Sequence, residues 1–235
     1  MRDPLAKYPR LTGPWRRHDL LYLAPPAWDL ALAARPPLAA MPLLARWSSR
    51  TWPMIVRRRM PCDDPNMVPI GVPLPPAAAK LRIALTVPSE GVIGRSASIS
   101  LESGACAAPS LWKPTISKLV TLGAEHRVEP AAFGSLMWQH QTGLRYLSPQ
   151  SDLDVLWPVS ANCEMHSLLL GIAKIEQASP VCIDGEIVFP DGRAVNWREL
   201  LDALCGDAPA EVLVKSMDRV ALVGIDQLIG SGVAV

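Results

Sequence analysis

The sequence predicts an α+β protein, with a smaller, proline-rich and mostly β region ahead of a mixed sheet with helices. Three observations carry this. Prolines recur every few residues between Pro4 and Pro88, which leaves no room for long helices. Two short apolar runs with β-branched residues stand within that stretch. From Pro130 onward helical and strand patterns succeed one another as helix, strand, helix, strand, strand, helix, strand, strand. That order is α+β or mixed α/β, not an open dinucleotide-binding sheet.

The elements follow in turn. Pro53 to Met60 and Leu81 to Val87 read as strands, with Pro73, Pro75 and Pro76 punctuating the stretch between them. Gly91 to Ser110 is rich in Ser, Gly and Ala and reads as a linker, so a domain boundary is expected after residue 90, giving domains 1–90 and 91–235. Ile116 to Leu122 begins a helical pattern, and Pro130 to about Thr142 forms a second. Asp152 to Trp157 is a short apolar strand with alternating acids. Met165 to Gln177 places Leu168, Leu169, Ile172 and Ile175 at helical spacing before Pro180 stops it. Val181 to Phe189 and Ala194 to Trp197 form a hairpin around the turn Pro190-Asp191-Gly192-Arg193. Asn196 caps the next helix, with Glu199 as its capping-box partner. Glu211 to Lys215 and Arg219 to Val223 close the chain with two strands.

Composition narrows the function. The chain has 235 residues, 49% hydrophobic and 19% charged, enough to bury a core. A net charge of +1 argues against a dominant nucleic-acid surface. The apolar stretch Leu20 to Trp47 is broken by five prolines and carries Asp29 and Arg35, so it is not a membrane span. Asp3, Pro4 and Pro14 do not begin a signal peptide. Five scattered cysteines without paired spacing read as reduced thiols of a cytoplasmic protein. No His-x-x-x-His or Cys-x-x-Cys spacing supports a zinc site, and there is no Walker loop or Gly-x-Gly-x-x-Gly.

The chemistry-bearing pattern is Phe133-Gly134-Ser135, followed by Ser151-Asp152-Leu153-Asp154. On a strand Asp152 and Asp154 share a face, their Cα atoms about 6.6 Å apart. Two carboxylates on one face repel unless a cation lies between them. Mg²⁺ or another divalent cation is the natural partner, since it takes one or two carboxylates and completes its shell with water and phosphates. Apolar neighbours make this a buried strand rather than a turn, and buried acids need a reason. Gly134 and Ser135 supply a phosphate cradle, because glycine admits close approach and the N–H and hydroxyl groups donate.

Apolar-Gly-Ser followed by a strand with Asp-x-Asp resembles the nucleotidyltransferase superfamily. Sixteen residues separate Ser135 from Asp152, a longer spacing than typical members show, which points to a divergent branch. Gly134-Ser135-Leu136-Met137-Trp138-Gln139, Thr142-Gly143-Leu144, Tyr146-Leu147, Ser151 to Asp154 and Ile183 to Leu200 resemble the malonate decarboxylase holo-acyl-carrier-protein synthase family, also called phosphoribosyl-dephospho-CoA transferase. His18-Asp19-Leu20-Leu21 and Val56-Arg57-Arg58-Arg59 fit its amino-terminal domain.

The resemblance implies a nucleotidyltransferase-like catalytic domain after residue 90 and a donor- or carrier-recognising domain before it. It implies that a serine of the apo acyl-carrier subunit attacks the α-phosphate of 2′-(5″-triphosphoribosyl)-3′-dephospho-CoA and releases diphosphate. Asp152 and Asp154 are then metal ligands and catalytic, with Asp184, or else Glu186, as the third carboxylate. Gly134 and Ser135 hold the leaving diphosphate. Partners are that carrier and that donor, with no nucleic acid and no membrane. Two other readings stay open: transfer from an ordinary nucleoside triphosphate, and a non-catalytic carrier-binding module. Arg57 and Arg59 share a strand face that is either solvated or docks the triphosphate or an acidic carrier. Trp138 and Trp157 pack in the core or stack on adenine, while His140 and His166 read as structural. Lys174 and Lys215 carry no assignment.

Overall fold

The computed structural model describes residues 14–206 and 210–229, and the chain divides into two units, Met1–Ser98 and Ile99–Val235. Asp3 and Pro4, used above against a signal peptide, lie outside the described residues.

The first unit is built on a five-stranded sheet, β4-β3-β2-β1-β5, with every pairing antiparallel. Its strands are β1 (Leu20–Leu23), β2 (Met54–Val56), β3 (Val68–Pro73), β4 (Arg82–Val87) and β5 (Val92–Ser96). Between β1 and β2 run three short helices, α1 (Pro25–Ala33), α2 (Pro36–Ala39) and α3 (Pro42–Ala45). Each begins with proline in its first turn, where the missing N–H costs nothing and the fixed φ suits a helix. The prolines thus start helices as well as limit them. Trp28 and Trp47 are fully buried, and their indole N–H groups donate to Leu44 O (2.7 Å) and Pro53 O (2.9 Å).

Two ion pairs tie this unit together. Asp19, beside β1, accepts from Arg95 of β5 through Nε (2.9 Å) and Nη2 (2.5 Å), and both side chains are buried. Arg57 forms a two-pronged bond with Asp63 (2.7 Å each) and also donates to Ile70 O and Leu85 O. The strand β2 stops at Val56, so Arg57 and Arg59 do not share a strand face. Arg59 donates to the carbonyls of Asp64 and Met67. These two arginines are consumed in holding the first unit's own loops.

The second unit contains β6 (Ile99–Ser100), α4 (Leu101–Gly104), α5 (Lys113–Glu125), β7 (Ala131–Ala132), α6 (Gly134–Thr142), β8 (Leu153–Pro158) and α7 (Met165–Gln177). It continues with β9 (Ile183–Val188), β10 (Ala194–Asn196), α8 (Trp197–Cys205), β11 (Glu211–Lys215), β12 (Val220–Gly224) and α9 (Ile225–Ile229). The sheet order is β12-β11-β10-β9-β8-β7-β6. Only β8 and β9, joined by the crossover helix α7, run parallel among these pairs.

Strand alternation gives the sheet two unlike faces. Leu153, Val155, Trp157, Ile183, Ile187, Val195, Val212 and Val214 are all buried. Helix α8 packs on β9, β10 and β11, and α7 lies between α5 and α8 with Leu168, Leu169 and Ile172 buried. The alternate residues, from Asp154 to Lys215, are polar or half-buried in the main and form the other face.

The stretch expected to be a linker holds β5, β6 and α4 instead. Because β5 pairs with β1, the division falls between Ser98 and Ile99, later than the composition indicates. Glu199 does not close a capping box either. Asn196 Oδ1 accepts from Arg198 N–H (3.0 Å) as expected of a cap, but Glu199 Oε1 accepts from Leu213 N–H (2.6 Å) on β11. No described helix is long and apolar enough to cross a membrane.

Candidate active site

The site grows from the parallel pair β8–β9. Asp154 stands directly opposite Asp184 in register, and Leu156 opposite Glu186. Residues paired in register project to the same face from strands about 4.8 Å apart. Asp154 and Asp184 are therefore neighbours, both half-buried. The strand β8 begins at Leu153, so Asp152 lies one residue before it and is exposed. Both acids of the Asp-x-Asp pair are expected on a buried strand; only Asp154 lies on the strand, and it is half-buried.

Two close approaches fix this pair. At Gly134, with φ +60°, an added Cβ would stand 1.9 Å from Asp154 Oδ2, so the helix α6 starts against that carboxylate. At Gly185 an added Cβ would meet Val155 O at 1.9 Å, which only glycine avoids. The Asp184-Gly185 dipeptide is thus strand and not turn.

Asp184 is held from its neighbours. Its Oδ1 accepts from Gly185 N–H (2.7 Å) and from the Asn196 side-chain amide (2.9 Å). The residue before it is clamped too. Ile183 N–H donates to Glu176 Oε1 (3.0 Å), and Ile183 O accepts from Trp197 Nε1 (3.0 Å) and Arg198 Nη2 (2.7 Å). Arg198 and Glu176 are themselves an ion pair between α8 and α7. Such clamping sets the carboxylate's direction before any ligand arrives.

Helix α6 brings its first turn to the same place. Gly134 and Ser135 are its first two residues, and Ser135 is half-buried. The first-turn N–H groups of a helix have no intrahelical acceptor and favour anions. The long spacing to Asp152 is a packed loop after the Gly143 cap. Gln139 Oε1 accepts from Tyr146 and Leu147 N–H (3.1 Å each), and Ser148 and Ser151 close a turn through Ser151 N–H to Ser148 O (3.0 Å).

The donor set suits a hard divalent cation that takes two adjacent carboxylates and completes its shell with phosphate oxygens. Among the described residues no three His, Cys, Asp or Glu side chains gather closely enough to hold a metal. Asp154 and Asp184 are brought together, and Asp152 stays at the rim. Glu186 is buried and bonded to Lys215 Nζ (2.8 Å).

The remaining candidate residues fall elsewhere by their burial. Trp157 is fully buried on the apolar face, and Trp138 is buried beside Tyr146 at 6.3 Å between ring centres. Neither offers a face to adenine. His140 Nδ1 contacts Cys106 Sγ (3.3 Å), and His166 Nε2 lies 3.7 Å from Cys205 Sγ. Sequence reasoning missed Asn196 as a holder of Asp184, and it missed the Glu186–Lys215 pair. The hairpin contained the signal: pairing Val188 with Ala194 across the turn sets Asn196 opposite Glu186.

Comparison with known proteins gives the family. Residues 100–225 match the family model of the phosphoribosyl-dephospho-CoA transferase MdcG C-terminal domain, and residues 16–97 match that of its N-terminal domain. A phosphoribosyl-dephospho-CoA transferase of Bradyrhizobium diazoefficiens is 41% identical over 213 residues, covering 91% of this chain and 92% of its own. Those of Xanthomonas campestris pv. campestris and Xanthomonas euvesicatoria pv. vesicatoria are 35% and 36% identical, covering 86% and 85% of this chain and 91% and 90% of theirs. No solved structure gives a significant match. With both halves matched and a relative this similar over nearly its full length, the chain is a transferase that belongs to the phosphoribosyl-dephospho-CoA transferase family.

Proposed function

We propose that the protein transfers phosphoribosyl-dephospho-CoA from 2′-(5″-triphosphoribosyl)-3′-dephospho-CoA to a serine of the apo acyl-carrier subunit of malonate decarboxylase. The observation that carries the site is Asp154 in register with Asp184, with Gly134 pressed against the Asp154 carboxylate. The serine oxygen bonds to the α-phosphorus as its proton passes to water, the bond between that phosphorus and the oxygen bridging to the β-phosphate breaks, and diphosphate departs with that oxygen. Asp154 and Asp184, with Asp152 at the rim, would hold Mg²⁺ or another divalent cation, which supplies charge neutralisation for the triphosphate. The first turn of α6, at Gly134 and Ser135, receives the diphosphate through its N–H groups. Gly185, Asn196 and the Ile183 clamp keep Asp184 aimed, so little reorganisation is needed when the donor binds.

The first unit recognises donor or carrier, and its arginines at 57 and 59 serve its own loops in doing so. A cytoplasmic setting suits the five cysteines, all of them free thiols. The reading is tested by incubating the protein with Mg²⁺, the donor and apo carrier, then weighing the carrier by intact-mass spectrometry. A gain of one phosphoribosyl-dephospho-CoA that disappears with EDTA is the expected result. Labelling from ATP or CTP alone, with none from the donor, overturns it in favour of an ordinary nucleotidyltransferase.

A further inference from the structure

The polar face of the second sheet carries a cation that no motif marks. Lys215 on β11 stands opposite Ala194 on β10, and Ala194 stands opposite Val188 on β9. These pairings put Lys215 on the face that bears Asp154 and Asp184. Ala194 has no side chain beyond Cβ, so the lysine stem crosses above it and Nζ reaches Glu186 Oε1 at 2.8 Å. Glu186 is two residues past Asp184 on the same strand face. The lysine side chain is 34% exposed and the glutamate's 8%. Across the face the order is therefore the start of α6, Asp154, Asp184, and then the Glu186–Lys215 pair.

We infer that Lys215, steadied by Glu186, binds a phosphate of the nucleotide half of the donor, the half that is retained on the carrier. The inference rests on the proposed reaction and adds a contact to it. An in-line displacement sets the attacking serine and the leaving diphosphate on opposite sides of the reacting phosphorus, and the retained ribose oxygen takes an equatorial position, so the nucleotide half runs from the phosphorus in a different direction from the diphosphate. The α6 N-terminus occupies one side of the Asp154–Asp184 pair and Lys215 the other. Lysine acts on phosphate as a point charge on a flexible stem, and a buried carboxylate limits the directions that stem can take. A pair that served only the sheet would give stability and no preference among ligands.

The test is calorimetric binding of dephospho-CoA and, separately, of inorganic diphosphate with Mg²⁺, to the full chain and to Lys215→Met. The expected result is dephospho-CoA affinity lower by about ten-fold, the scale of one lost charge-assisted hydrogen bond. Diphosphate affinity should change by less than about two-fold, and Lys215→Arg should recover most of the loss. Unchanged dephospho-CoA affinity, or equal losses for both ligands, overturns the inference. If Lys215→Met fails to fold because Glu186 is left buried and charged, the double variant Lys215→Met/Glu186→Gln carries the same two measurements. Failure of the unaltered chain to bind dephospho-CoA at all sinks the proposed reaction as well, whereas equal binding by both proteins sinks only the role of Lys215.

Discussion

Asp19 and Asp63 of the first unit and Asp184 of the second keep different company. In the first, Asp19 is bonded to Arg95 and Asp63 to Arg57, each by two donors of a guanidinium. In the second, Asp184 is held by a backbone N–H and a neutral amide, and it stands beside another aspartate. A carboxylate matched to an arginine is spent on the fold. Under the proposed reaction Asp184, steadied by a backbone N–H and a neutral amide, keeps its charge for the cation. The difference teaches how to sort buried acids by partner rather than by depth.

That contrast predicts where substitutions are felt. Arg95→Ala leaves Asp19 buried without its guanidinium and should cost about 3–5 kcal/mol of stability, read as a lower denaturant midpoint. A shift of the same size from Asp184→Asn would erase the distinction. Instead Asp154→Asn and Asp184→Asn should each lower carrier modification by about 10²–10³-fold, with the midpoint within about 1 kcal/mol of the unaltered protein. Gly134→Ala comes next. Its Cβ has no place beside Asp154, and its φ of +60° disfavours alanine, so transfer should drop by about 10²-fold from misplacement of the carboxylate.

The smallest effect is acid sensitivity in the first unit. Arg57's hydrogen bonds hold the Asp63 carboxyl at about 2, below its usual 3.8. The folded state thus binds this proton less readily than the unfolded chain does. The associated stability is present above about pH 4 and is lost as pH falls toward 2. Asp63→Asn should flatten the acid limb of a midpoint-against-pH curve over that window and leave pH 7 transfer unchanged.

Much of the second unit was legible because its signals are local. The alternation in Asp152 to Trp157, the helical spacing from Met165 to Gln177 and the turn at Gly192 need no distant partner to be read. What escaped depends on pairing over long separations. The Gly91–Ser110 stretch looked like a linker because the strand that orders β5 is β1, far upstream. Lys215 looked isolated because its carboxylate lies 29 residues earlier. Asp152 and Asp154 looked equivalent because alternation fixes a face but not where a strand starts. Proline marked the first unit correctly as poor in long helices. It could not distinguish a break in a helix from the first residue of one, as at Pro25, Pro36 and Pro42.

Asn196 joins two things that ordinarily vary apart. Its carbonyl oxygen caps α8 and its amide group holds Asp184. Asn196 is also the last residue of β10, and the turn beyond it is anchored, with Trp197 buried and both Trp197 Nε1 and Arg198 Nη2 bonded to Ile183 O. The start of the helix and the guide of the carboxylate are therefore one joint. A single change, Asn196→Ala, should loosen both, lowering transfer and the denaturant midpoint together.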